Sequence, residues 1–200
     1  MGCRSNKVKY YILQKLFKFH KWHMTPVEER PYGMVVIKWC NRILMKDQNL
    51  KRKTIVEIGC GLGDILAKID APRENKTGYD IDEKAIRAAK IAHPGIRFQV
   101  GRFAPDIRGK YISILICVNF LYSLDTENVR KEFQRLVLNN DIQYILTETM
   151  CPATPNYPYS HDMDEILGSD YTQIKQRSFE AAERSRRYML LYVKNVRADR

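Results

Sequence analysis

The chain has 200 residues, 44% apolar and 28% charged, the proportions of a folded protein with room for one sizeable core. No apolar run approaches the roughly 20 residues of a membrane-spanning helix, and Lys and His break every apolar stretch before Pro26, unlike a secretory signal. The basic excess is 34 − 23 = 11, which favours nucleic acid, an anionic membrane face or a phosphorylated or acidic substrate without choosing among them.

Residues 7–22 thread lysines through apolar positions and predict a helix, with Val8, Ile12, Leu16 and Phe19 as its stripe and Leu13 and Phe17 widening it. Residues 23–33 hold two prolines and read as a linker. A second helix is predicted over 34–44, burying Val35, Val36, Trp39, Ile43 and Leu44. From Lys53 onward strands alternate with helices. Residues 54–59, 76–82, 96–100, 111–118 and 144–149 read as strands. Helices open at Asp64, at Asp82 and at Asp125 or Thr126, the last burying Val129, Phe133, Leu136 and Val137. Residues 171–178 and 187–194 close the chain as a strand pair. The alternation predicts an α/β protein with a mostly parallel seven-stranded Rossmann-like sheet and an antiparallel last strand. The predicted division is a helical extension or lid over 1–50 and a ligand-binding domain over 51–200.

The five cysteines, Cys3, Cys40, Cys60, Cys117 and Cys151, are scattered and lack CxxC spacing. Disulfides and a zinc site are therefore not expected, and a cytoplasmic setting is. His20 and His23 have a metal-like spacing, but no cysteine or acid completes a set, so no metal is assigned.

The chemistry concentrates after the first strand, in Glu57-Ile58-Gly59-Cys60-Gly61-Leu62-Gly63. Ligands of open α/β sheets bind at the carboxyl ends of the strands. Glycines at alternate positions let backbone approach a ligand closely. The spacing is GxGxG, not the GxGxxG that sets a pyrophosphate on a helix N-terminus, and Glu57 suits an ammonium-bearing ligand. Asp80 ends the second strand, where a carboxylate accepts hydrogen bonds from both hydroxyls of a ribose.

VEIGCGLGD followed by GYDID resembles the first two motifs of class I S-adenosylmethionine-dependent methyltransferases, with matching element order over roughly residues 50–200. The resemblance implies S-adenosyl-L-methionine as cofactor. Gly59, Cys60, Gly61 and Gly63 would line its methionine part, Glu57 would hold the amino group, and Asp80 with Ile81 would meet the ribose. At the third motif the family often carries an acid beside the adenine; this chain has Arg102 and then Phe103, leaving backbone and a stacking ring. Asn119, at the end of the fourth strand, falls in the family's position near the reactive methyl, where magnesium-dependent O-methyltransferases carry an Asp. The segments ERPYG, EIGCGLGDIL, GYDID and YSHD further resemble small bacterial methyltransferases of surface-polysaccharide synthesis, which implies a small-molecule acceptor such as a sugar or nucleotide-sugar hydroxyl.

Methyl transfer needs an aligned nucleophile and sometimes a base. The candidate is His161, beside Asp162 and among tyrosines; a surface loop histidine is its competing reading. Tyr122 and Glu148, each at a strand end, are weaker candidates. The charge supports an RNA methyltransferase as the alternative, and a non-catalytic cofactor-binding partner subunit is a third reading. Helix 7–22 reads as a lid over the pocket, as a membrane-surface helix with Phe17, Phe19 and Trp22 inserted among anionic headgroups, or as a solvated face. Gly2 and Cys3 do not make an acylation signal, because Asn6 stands where myristoylation wants Ser or Thr.

Overall fold

The computed structural model describes residues 2–195, and side chains from residue 8 onward. Cys3's side chain and residues 196–200 lie outside the described residues. Seven strands follow the order β3-β2-β1-β4-β5-β7-β6, and the chain divides after Pro105 into two compact units.

The first unit carries helices α1 (Gly2–Phe17), α2 (Pro31–Lys46), α3 (Asp64–Lys68) and α4 (Glu83–Ala92), with strands β1 (Ile55–Ile58), β2 (Lys76–Asp80) and β3 (Arg97–Val100). The strands pair in parallel, Ile58 opposite Tyr79 and Tyr79 opposite Gln99. Every residue of β1 is buried, as expected of a parallel strand covered on both faces. Asp82 caps α4 by accepting from the Lys84 and Ala85 amides, which satisfies amides that have no partner within the helix.

The second unit carries β4 (Tyr111–Cys117), α5 (Thr126–Asn139), β5 (Asp141–Cys151), α6 (Met163–Leu167), β6 (Tyr171–Glu180) and β7 (Arg186–Lys194). β4 and β5 are parallel, and β7 inserts antiparallel between β5 and β6. The last strand of the sequence is therefore the antiparallel one, as the closing pair predicts. Asp125 and Asp162 cap α5 and α6 through the Asn128 and Glu165 amides.

The amino-terminal segment departs from its sequence reading. α1 ends at Phe17, and residues 23–33 are no bare linker: 3-10 turns form at Lys21–Met24 and Val27–Glu29, and α2 opens at Pro31. Proline suits a first helical turn because its missing N–H would have had no partner there. The predicted stripe divides, with Leu13, Phe17 and Phe19 inside and the rest outside. Val8, Ile12 and Leu16 face solvent, at 61%, 59% and 67% exposure, whereas Tyr10, Leu13 and Phe19 are buried with Leu62, Ala85, Ala88 and Ala92. Phe17 and Phe19 thus belong to the interior, and Trp22 stays exposed. The physical reason is that α1 is apolar on both sides. Its periodicity does not choose the inner face; the small alanines of α4 and a buried partner for the Tyr10 hydroxyl do.

Candidate functional site

The loop after β1 is tied to the end of β2. The Tyr79 carbonyl accepts from the Gly59 amide at 2.8 Å and the Cys60 amide at 3.0 Å, and the Asp80 carbonyl accepts from the Gly101 amide at 3.0 Å. The Asp80 carboxylate accepts from the Gly61 amide at 2.7 Å on Oδ2 and from the Asp82 amide at 2.9 Å on Oδ1. Glu57, Gly59, Cys60, Gly61, Gly63, Asp80, Ile81, Arg102 and Phe103 all lie in the loops that these bonds join or at the strand ends beside them. Each Asp80 oxygen keeps lone-pair capacity beyond the amide it already accepts.

These residues differ in what they offer. Gly61 has φ +53°, and a Cβ there would stand 2.6 Å from Nδ1 of His23. At Gly63 a Cβ would strike the Phe98 ring at 2.4 Å, so this glycine is required by packing inside the unit. Cys60 is buried with its sulfur against Gly78, and burial pushes its thiol pKa well up. Glu57 is buried; burial pushes its carboxyl up to about 8 against the opposing pull of Arg30. Its Oε2 is a buried oxygen without a hydrogen-bond partner. Phe103 is buried with φ +50°, Arg102 is exposed, and Ile81 is 75% exposed. Ile81 and Asp82 border a groove of about 650 Å³ whose other wall includes Lys18, Phe19 and Lys21.

Sequence reasoning missed the groups that hold the amino-terminal segment against this loop. Tyr10 donates its hydroxyl to Asp64 Oδ1. The same oxygen lies 3.3 Å from His93 Nε2, and Arg30 reaches Oδ2 at 3.2 Å. Burial first, and Asp64 second, push the Tyr10 phenol up. His23, considered from the sequence only as half of a metal pair, packs over Gly61, with Nε2 at 3.7 Å from Asp82. Burial lowers its pKa, while Asp80 and then Asp82 oppose the shift. Tyr10 and His93 are 83 positions apart, and no local pattern announces such a contact.

The second unit gathers the remaining candidates. Asn119, exposed and with φ +69°, donates its amide to Glu148, while its side-chain oxygen accepts from Arg187 at 3.0 Å. Arg187 pairs with Glu148 at 2.9 Å in a buried bridge. Burial raises the Glu148 pKa, and the guanidinium opposes it. The Arg187 guanidinium also lies over the Tyr122 ring at 5.7 Å, and Tyr122 meets Tyr157 edge-on at 5.0 Å. His161 is not a surface histidine. It is buried, Nε2 donates to the Leu121 carbonyl at 2.9 Å, and Nδ1 lies 3.1 Å from the Thr126 hydroxyl. A carbonyl can only accept, so Nε2 carries the proton and Nδ1 accepts from Thr126 in the neutral ring.

No protein-family model matches the chain. Among curated proteins it is 24% identical over 129 residues to the ubiquinone biosynthesis O-methyltransferase of Nitrosomonas europaea, covering 61% of this chain and 52% of that protein. The match thus spans about half the relative's length. Among solved structures, the N-methyltransferase NodS of Bradyrhizobium japonicum, in complex with S-adenosyl-L-homocysteine, covers 94% of this chain and 99% of its own, with TM-score 0.69 at 14% identity. The fold is the Rossmann-like methyltransferase fold. The magnesium protoporphyrin IX methyltransferase of Synechocystis, with bound S-adenosylmethionine, shares it at TM-score 0.64 and 20% identity, covering 88% of this chain and 86% of its own. With identities this low, the likeness extends to the fold, and the site has to be argued from the residues above.

Proposed function

We propose that the chain is an S-adenosylmethionine-dependent methyltransferase acting on a small-molecule acceptor, with a sugar or nucleotide-sugar hydroxyl as the first class to test. The observation that carries the reading is the Gly61 amide bonded to Asp80, which holds a side-chain-free turn and a ribose-binding carboxylate in fixed register. The residues present fit the cofactor: Asp80 has acceptor capacity to spare, and the unpartnered Glu57 Oε2 suits an ammonium group. When bound, the cofactor supplies a methyl group on a sulfonium, already electrophilic.

The protein's own work is to bind and orient. Asp80 would take the ribose hydroxyls, Glu57 the amino group, and the groove beside Ile81 the base. A structural neighbour whose name specifies magnesium protoporphyrin IX, and a curated relative whose name specifies a ubiquinone biosynthesis step, agree with a small acceptor. His161 serves this reading as a brace for the loop that carries it, because using Nδ1 as a base would break its bond to Thr126. Tyr122, whose ring is half-buried beside Arg187, is the better candidate to face an acceptor.

Calorimetric titration with S-adenosylmethionine and S-adenosylhomocysteine tests the reading. Both should bind, and Asp80→Ala should weaken both by roughly 1.5–3 kcal/mol, the worth of charge-assisted hydrogen bonds. Folded protein that binds neither, or an unchanged affinity in Asp80→Ala, sinks it.

A further inference from the structure

α1 presents to solvent what an ordinary surface helix buries. Val8, Tyr11, Ile12 and Leu16 lie at helical spacing on one face and are 54–67% exposed, and Trp22 follows in the next turn at 68%. The inner face, with Tyr10, Leu13 and Phe17, is already occupied by α4 and its neighbours, so the outer row is surplus to the fold. Contiguous apolar surface of this kind marks an interaction site.

Charge selects the occupant. Arg4, Lys7, Lys9, Lys15, Lys18 and Lys21 precede the first acid of the sequence, Glu28. Lys15, Lys18 and Lys21 are exposed, and the Lys15 ammonium sits 5.4 Å from the Tyr11 ring centroid, beside the apolar row. A second copy of the chain would bring the same cationic segment against this one and be repelled. Nucleic acid would answer the lysines but leave five large apolar side chains in water. An anionic lipid surface answers both: headgroups neutralise the ammonium groups, the lysine stems lie along the interface, and the row enters the acyl boundary with Trp22 at headgroup depth. We propose that α1 and the turn after it form an interfacial membrane-docking surface that uses the face opposite to the one packed on α4. This inference is independent of the methyl-transfer reading.

The test is co-sedimentation of the purified chain with vesicles of phosphatidylcholine containing one-third phosphatidylglycerol, and with vesicles of phosphatidylcholine alone. The anionic vesicles should bind at least about ten-fold more tightly, with the advantage reduced at high salt. Trp22 emission should shift to the blue on binding, a change absent in Trp22→Phe, which isolates it from buried Trp39. Ile12→Asp/Leu16→Asp should lose about ten-fold or more of the binding while circular dichroism stays unchanged. Should that variant not fold, Lys15→Glu/Lys21→Glu should abolish the anionic preference alone. Absence of binding to anionic vesicles, or equal binding by either folded variant, overturns the proposal. A lipid-free dimer that Ile12→Asp/Leu16→Asp dissolves also overturns it, assigning the row to a second copy.

Discussion

At the scale of single residues, Glu57 makes the most testable statement, because its buried carboxyl is held up to about 8. A carboxyl raised on folding contributes stability that is fully present below its unfolded value, near 4.3, and is lost as pH rises to about 8. Denaturant unfolding between pH 5 and 8 should therefore show stability falling by a few kcal/mol, on the order set by the shift, with Glu57→Gln flattening the slope. If Glu57 also takes an ammonium group from the cofactor, binding near pH 7 ionises it and releases a proton. Titration calorimetry in buffers of different ionisation heat should register that proton in the wild type and miss it in Glu57→Gln. Gly61 offers a second test. Gly61→Ala places a Cβ against His23 and an L-residue in left-handed backbone, the latter costing about 1–2 kcal/mol. Adding His23→Ala should recover the steric part but not the backbone part, and a double-mutant cycle by urea unfolding separates the two. The glycines and Asp80 were legible in the sequence because their chemistry is local. Tyr10, Arg30 and His93 around Asp64 were not, because contacts between distant positions leave no periodic trace.

At the scale of elements, the strands were the most legible. β4 is buried from Ile112 through Cys117, so its unbroken apolar run had one sensible reading. β5, by contrast, runs from Asp141 to Cys151, beyond the predicted 144–149, because its pairing with β7 continues through Cys151 and Arg186 where the apolar signal has ended. α1 was legible as a helix and not as a face: two apolar sides with interspersed lysines give the same periodicity whichever side turns inward. Its orientation makes a sharp comparison possible. Leu13→Ala removes a buried side chain and should cost roughly 2–5 kcal/mol, whereas Ile12→Ala, one residue away and exposed, should stay within about 0.5 kcal/mol. Equal effects on chemical unfolding would mean that the helix is turned as its sequence stripe first predicts.

At the scale of the whole molecule, the excess of 11 positive charges has two possible duties, and salt distinguishes them. An RNA acceptor would be held through phosphates, with log affinity falling by about 0.7 for each contacted phosphate per tenfold rise in salt. A small acceptor and an adenosine cofactor make few such contacts, so their binding should be nearly flat over the same range. The charged groups closest to the proposed cofactor residues favour the second duty, because Asp80, Asp82 and Glu57 are acids, whereas the groove beside them carries Lys18, Lys21, Lys84 and Arg87 along with Asp82 and Glu83. A fluorescein-labelled single-stranded RNA, followed by anisotropy, should bind at low salt as it would to any polycation and be released by physiological salt, while S-adenosylhomocysteine affinity barely moves. RNA retained at physiological salt, together with methyl transfer to it, would instead assign the charge to the acceptor and displace the small-molecule reading.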